Sequence, residues 1–101
     1  MTMEKPHILT EEEIAEGLTS LPGWSYADNK ISKEFKFKDF MDSLGFVENM
    51  APIFEENDHH PDTTIMYSKI RFDLQRFDVG GKVTDRDFLI AHEIEKAYVA
   101  R

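Results

Sequence analysis

Residues 30–54, which read KISKEFKFKDFMDSLGFVENMAPIF, contain the change of hydrophobic period that decides the fold. In the first part Ile31, Phe35 and Phe37 alternate with polar residues, which predicts a strand with one buried and one solvated face. The apolar residues then recur in steps of four and three, which predicts an amphipathic helix of about five turns; they are Phe40, Leu44, Val47, Ala51 and Phe54. Pro52 lies inside this helix, and we expect it to kink the last turns because it donates no backbone hydrogen bond.

Two hairpins flank this helix in the predicted order of elements. Residues 24–27 and 30–37 are separated by Asp28-Asn29, a pair that favours a tight turn. Residues 63–67 and 69–77 form the second hairpin, and its second strand places three apolar side chains on one face. These side chains are Ile70, Phe72 and Leu74.

Capping signals predict a helix at each end of the chain. Thr10 and Glu13 have the spacing of a capping box, and Pro22-Gly23 ends the short helix that follows. Thr84 and Asp87 have the same relation at the start of the last helix, where Asp87 occupies the third helical position.

The predicted order is therefore α-β-β-α-β-β-α. Hairpins joined by helices give an α+β fold, with a four-stranded antiparallel sheet and the helices packed on one face. The length of 101 residues fits one domain, which we place at residues 9–101 after a flexible leader at residues 1–8. The outer strands of this sheet have open edges, which invite pairing with a second subunit.

The composition excludes several classes of function. Twenty acidic against 12 basic side chains give a net charge of −8, which argues against nucleic acid or an anionic membrane as a direct partner. The absence of cysteine excludes disulfides, thiolate metal sites and thiol nucleophiles. No apolar run reaches the length of a membrane-spanning helix, and the first residues lack a signal-peptide pattern, so we expect a cytoplasmic protein.

The adjacent histidines His59 and His60 are the main candidates for chemistry. They lie between Asp58 and Pro61 at a break between helix and strand, with Glu55 one helical turn upstream. A stiff loop at the end of a helix can present side chains to a pocket. Imidazole exchanges its proton near neutral pH, which suits general acid catalysis.

Other interpretations of the histidines remain open at this level. His59 and His60 could be solvated loop residues, whereas a metal site is disfavoured because adjacent histidines usually point apart. His7 in the leader and His92, off the apolar stripe of the last helix, are expected at the surface. Gly80-Gly81 indicates a turn, and no motif of a serine nucleophile or a phosphate-binding loop is present.

With these features the chain resembles the pterin-4a-carbinolamine dehydratase family, also called 4a-hydroxytetrahydrobiopterin dehydratase, over nearly its whole length. The resemblance is strongest in the block E-x-x-x-H-H-P at residues 55–61, followed by the aromatic Tyr67. It includes further segments before and after that block; they are Leu9-Thr10, Leu21-Pro22-Gly23-Trp24, Phe35-Lys36-Phe37-Lys38-Asp39-Phe40, Phe46-Val47, Gly80-Gly81, Thr84 and Asp87.

The resemblance implies the same α+β fold, with dimers that join two four-stranded sheets and, in some members, tetramers. It implies a hydro-lyase that removes water from a 4a-hydroxytetrahydropterin to give a quinonoid dihydropterin. Histidines would carry the proton transfers, so that neither a metal nor a bound cofactor is expected, and the pterin itself is the substrate.

By position in the resembling motifs, His59 matches the catalytic histidine and His60 its pterin-binding neighbour. Glu55 and Asp58 match acidic positions around the pocket, and Asp87 matches the acidic residue that closes the family signature. Asp87 also has a purely structural interpretation, because a carboxylate near a helix N-terminus stabilises the helix.

One departure from the family pattern concerns the residues just after the last strand. Phe77 stands where the family has a further histidine or a tryptophan, and Arg76 stands where it has a threonine. A phenyl ring cannot transfer a proton, so Phe77 would form an apolar wall, and Asp78 or His92 could take over the missing role. Two hypotheses follow: a dehydratase that relies on His59, or a catalytically weakened, dimeric protein-binding module.

Overall fold

The computed structural model describes residues 7–76 and 79–101. The elements follow in the predicted order, and the α+β class is confirmed. They are α1 (Glu11–Leu18), β1 (Ser25–Ala27), β2 (Lys30–Lys36), α2 (Phe40–Glu56), β3 (Asp62–Met66), β4 (Lys69–Leu74) and α3 (Asp85–Ala100).

The four strands form one antiparallel sheet in the order β1-β2-β4-β3. The central pair is β2 and β4, with Phe35 opposite Ile70 and Lys33 opposite Phe72. The edges of the sheet are β1 and β3, so each predicted hairpin contributes one central and one edge strand.

The core lies between one face of the sheet and the helices. Phe72 on β4 is fully buried, and its ring lies next to those of Phe35, Phe46 and Phe54. Ile90 and Ile94 of α3 belong to the same buried cluster, whereas side chains of the opposite sheet face, Glu34, Lys36, Lys69 and Arg71, are exposed. The sheet thus has the one buried and one solvated face that the alternation predicts.

The first hairpin turns at Asp28-Asn29, the position that the sequence predicts. Both residues have positive φ, 53° and 60°, as a two-residue type I′ turn requires. In the second hairpin Tyr67 has a φ of 54°, and its carbonyl accepts a hydrogen bond from the buried Ser43 of α2 at 3.0 Å. This bond ties the tip of the second hairpin to the helix beside it.

The middle helix α2 is capped by Asp39, whose carboxylate accepts the backbone N–H of Asp42 at 2.9 Å. It continues past Pro52 to Glu56, so the proline lies inside the helix and does not end it. No helix within the described ranges has the length and apolar character needed to cross a membrane.

The first described residues run along the start of α3. Asp85 donates its backbone N–H to the carbonyl of His7, and Leu9 donates to that of Val83, both at 3.1 Å. Ile8 forms an antiparallel bridge with Thr84. Residues 1–6, the rest of the predicted leader, lie outside the described residues.

The capping box of α1 is present as predicted, and it makes the stability dependent on pH. The backbone N–H of Thr10 donates to Glu13, and this bond holds the pKa of Glu13 below its ordinary value. A lowered pKa in the folded state adds stability at neutral pH that is lost on acidification. We therefore predict that Glu13→Gln lowers the free energy of unfolding at neutral pH, and that its deficit shrinks as the pH falls below about 4.5.

Urea unfolding across this pH range measures the effect. Glu12→Gln, one residue away in the same exposed turn, is the matched control for the loss of charge. The same pH dependence in both variants would show that the capping bond is not its source.

Candidate active site

The end of α2 places His59 by means of a Schellman motif. Asp58 adopts the left-handed conformation, with a φ of 48°, at the position where a glycine usually ends a helix. The backbone N–H of His59 donates to the carbonyl of Phe54, and that of Asp58 to the carbonyl of Glu55, both at 3.1 Å. This turn reverses the chain, so that His59 enters the protein while its neighbour His60 remains outside.

His59 forms a buried hydrogen-bonded pair with Asp87. The His59 side chain is 5% exposed and Asp87 is fully buried, and the imidazole Nε2 contacts Oδ1 of the carboxylate. An ionised carboxylate only accepts hydrogen bonds, so this partner assigns a hydrogen to Nε2. Nδ1 is then the ring nitrogen left to exchange a proton with another group.

The other oxygen of the Asp87 carboxylate caps α3. Oδ2 accepts the backbone N–H of Thr84 at 2.7 Å and the Thr84 hydroxyl at 3.2 Å. The helix N-terminus supplies partial positive charge beside this carboxylate. Asp87 thus caps the last helix, as its structural interpretation predicts, and the same carboxylate also contacts the imidazole of His59.

Arg76, just beyond β4, is a further residue of the site, and the sequence marked it only as a departure from the family pattern. Its Nη1 donates to the backbone carbonyl of Asp58 at 2.9 Å and lies 3.4 Å from Nδ1 of His59. Its Nη2 lies 4.0 Å from the Asp58 carboxylate. Its contacts could not be predicted from local sequence, because the partners Asp58 and His59 are 18 and 17 residues away. The only sequence signal at this position is that the family has a threonine there.

His60 and Glu55 form a second, exposed pair. His60 Nε2 lies 2.6 Å from Oε2 of Glu55, and the two side chains are 52% and 76% exposed. An open cleft lies between the end of α2 and the end of β4, and seven residues line it; they are Asp58, His59, His60, Pro61, Asp62, Gln75 and Arg76.

The remaining candidates are apart from this cleft or cannot be assigned to it. His92 is exposed on α3, and His7 is exposed and contacts Glu13, as expected for both. Phe77 and Asp78 lie outside the described residues, so their predicted roles stay predictions. In the ranges 7–76 and 79–101, no three His, Asp or Glu side chains group as metal ligands would.

The shared carboxylate predicts a specific loss of stability. Asp87→Asn keeps an acceptor for Thr84 but turns its amide donor toward the Nε2 hydrogen of His59, which leaves a buried donor unpaired. We expect a loss of about 1–3 kcal/mol in the free energy of unfolding. Asp85→Asn removes a charge from the same helical turn at an exposed position and is the matched control. Equal losses in denaturant unfolding would contradict the importance of the imidazole contact.

Comparison with known proteins finds relatives that match nearly the whole chain. The sequence model of the family described as pterin 4 alpha carbinolamine dehydratase matches residues 7–97. A relative from Sulfolobus acidocaldarius, assigned to that dehydratase, is 44% identical over 88 residues, which cover 87% of this chain and 96% of the relative. One from Prochlorococcus marinus, strain MIT 9515, with the same assignment, is 38% identical over 94 residues, which cover 93% and 97%.

A solved structure from Brucella melitensis, titled transcriptional coactivator/pterin dehydratase, is also similar. It superposes with a TM-score of 0.84 at 34% identity, covering 90% of this chain and 98% of the other. The segment that the family model matches includes the positions of His59 and Asp87. On this evidence the chain belongs to the pterin-4a-carbinolamine dehydratase family.

Proposed function

We propose that this chain catalyses the dehydration of a 4a-hydroxytetrahydropterin to a quinonoid dihydropterin, with His59 as the proton-transfer residue. The observation that carries the proposal is the buried His59–Asp87 pair beside the open cleft. Many enzymes that use general acid–base catalysis have a histidine that a carboxylate orients through one ring nitrogen, while the other ring nitrogen transfers protons.

The reaction breaks the bond between C4a and its hydroxyl and removes a proton from the ring nitrogen next to C4a. In the proposal, Nδ1 of His59 accepts the nitrogen proton and gives a proton to the departing hydroxyl, which leaves as water. Protons and charge then balance over one turnover. Asp87 holds the ring in one orientation and stabilises the imidazolium that forms between the two steps.

The exposed pair of His60 and Glu55 would bind the pterin. Both side chains lie at the surface beside the cleft and can offer a donor and an acceptor to the polar edge of a pterin ring. Asp58 would add an acidic group on the same side of the cleft. Phe77 and Asp78 are also proposed to bind the pterin. In the proposal the pterin is the substrate, and neither a metal nor a bound cofactor takes part.

The proposal includes the assembly and location of the protein. We propose that two copies pair through an open sheet edge, as a homodimer that could pair again into a homotetramer, and that the protein acts in the cytoplasm. The edges of the sheet are provided by β1 and β3. Analytical ultracentrifugation at several protein concentrations would measure the mass in solution. A dimer should have twice, and a tetramer four times, the 11.8 kDa of one chain.

A protein-binding module is the second candidate function. The similar structure from Brucella melitensis is described as a transcriptional coactivator as well as a pterin dehydratase. In this chain Phe40 and Met41, at the start of α2, are 44% and 70% exposed, so apolar surface is available there for a partner. A module of this kind would retain the fold and bind a partner without accelerating dehydration.

The dehydratase proposal predicts the effect of removing the imidazole. Wild-type protein should dehydrate chemically generated 4a-hydroxytetrahydropterin well above the spontaneous rate, and His59→Gln should lower kcat by about 10²- to 10⁴-fold. His92→Gln, which replaces an exposed histidine on α3, is the control and should retain the wild-type rate.

Two outcomes would count against the proposal. Equal turnover by wild type and His59→Gln would remove His59 from the reaction. A wild-type rate no higher than the spontaneous one, together with activity gained in Phe77→His, would instead support the binding module with an intact but inactive pocket.

A further inference from the structure

We propose that Arg76 is a positioning residue that makes His59 begin the reaction as a neutral imidazole whose lone pair is on Nδ1. The role of Arg76 in catalysis rests on the proposed function. Which nitrogen of the His59 ring carries a hydrogen can nevertheless be measured without a substrate. A neutral ring revises the expectation of a general acid, because it would first accept a proton.

The backbone turn that carries His59 is bonded to Arg76. Asp58 has a left-handed conformation, which is less favourable for residues other than glycine, and its carbonyl faces Arg76. The bond from Nη1 of Arg76 to this carbonyl, at 2.9 Å, has a charged donor and is therefore stronger than an ordinary one. Arg76 thus ties the peptide before His59 to the end of β4.

The two neighbours of the imidazole ring determine which of its nitrogens carries a hydrogen. The Asp87 carboxylate accepts a hydrogen bond from the N–H at Nε2. A neutral imidazole has only one N–H, so Nδ1 then carries a lone pair. The guanidinium of Arg76 has donors and no acceptor, and its Nη1 lies 3.4 Å from Nδ1. A hydrogen on Nδ1 would put two donors face to face, so this neighbour fits the neutral ring and not the imidazolium.

Backbone hydrogen bonds fix the position of Arg76 independently of the His59 ring. Its backbone N–H donates to the carbonyl of Lys82 at 2.9 Å, and its carbonyl accepts from Gly81 at 3.0 Å. Its side chain is only 13% exposed. The backbone bonds do not need the guanidinium, so substitutions that change the side chain should leave the chain folded.

The arrangement gives the proton transfer a direction. Asp87 supports the imidazolium from one side of the ring, whereas Arg76 opposes a hydrogen on the other side. A proton that Nδ1 has taken from the pterin nitrogen is therefore readily passed on to the departing hydroxyl. One histidine between unlike charges could in this way perform both transfers, although Phe77 stands where the family has a further histidine or tryptophan.

Nitrogen-15 NMR of the His59 ring tests the inference directly. In the wild type at neutral pH, we expect Nδ1 to have the far-downfield shift of a nitrogen without hydrogen, and Nε2 the shift of a protonated one. Arg76→Met keeps the length of the side chain but removes its donors and charge, and Nδ1 should move toward the protonated shift. Arg76→Lys, which keeps a charged donor, should remain closer to the wild type.

Kinetics provide the second readout. Arg76→Met should lower kcat by roughly 10- to 100-fold while KM stays nearly constant, because the change acts on the proton transfer and not on pterin binding. Arg76→Lys should recover part of the loss. Arg71→Met, on the exposed face of β4, is the matched control and should change neither the spectrum nor the rate.

The outcomes separate this inference from the proposed function. An unchanged His59 spectrum in Arg76→Met, or an Nδ1 that is already protonated in the wild type, would overturn the inference whatever the activity. The expected spectra in a protein that does not accelerate dehydration would support the positioning role of Arg76 and reject the dehydratase proposal.

Discussion

The buried carboxylate of Asp87 is the group on which the geometry of this site depends. One of its oxygens accepts hydrogen bonds from the backbone N–H and the hydroxyl of Thr84 at the start of α3, and the other contacts the imidazole of His59. A fully buried charge is costly unless its hydrogen-bonding capacity is satisfied, and these partners satisfy it. The contact that begins the last helix is therefore also the contact that orients the candidate catalytic residue.

Three segments distant in sequence meet at His59 because of the fold. The Schellman turn at the end of α2 brings the ring inward, the start of α3 provides the carboxylate, and the residue after β4 provides Arg76. The antiparallel pairing of β3 with β4 returns the chain to the end of α2, which places Arg76 beside His59. Edge strand β3 thus connects the assembly of the sheet with that of the site.

The local elements could be predicted from the sequence because each has a local cause. The change of period around residue 38 gave the middle helix, the capping boxes gave the helix starts, and Asp28-Asn29 gave a turn. The burial of His59 could not be predicted, because its partner Asp87 is 28 residues away and adjacent histidines have the same local surroundings. What separates His59 from His60 is the left-handed backbone of Asp58, which no residue pattern indicates in the absence of glycine.

A double-mutant cycle on the dehydration rate tests the central claim most directly. The claim is that His59 and Asp87 act as one unit, so the effects of removing them should not multiply. We expect kcat/KM of the variant with both His59→Gln and Asp87→Asn to lie close to that of His59→Gln alone. If the reductions caused by the two single substitutions instead multiplied in the double variant, the two residues would act independently and the account of the site would be wrong.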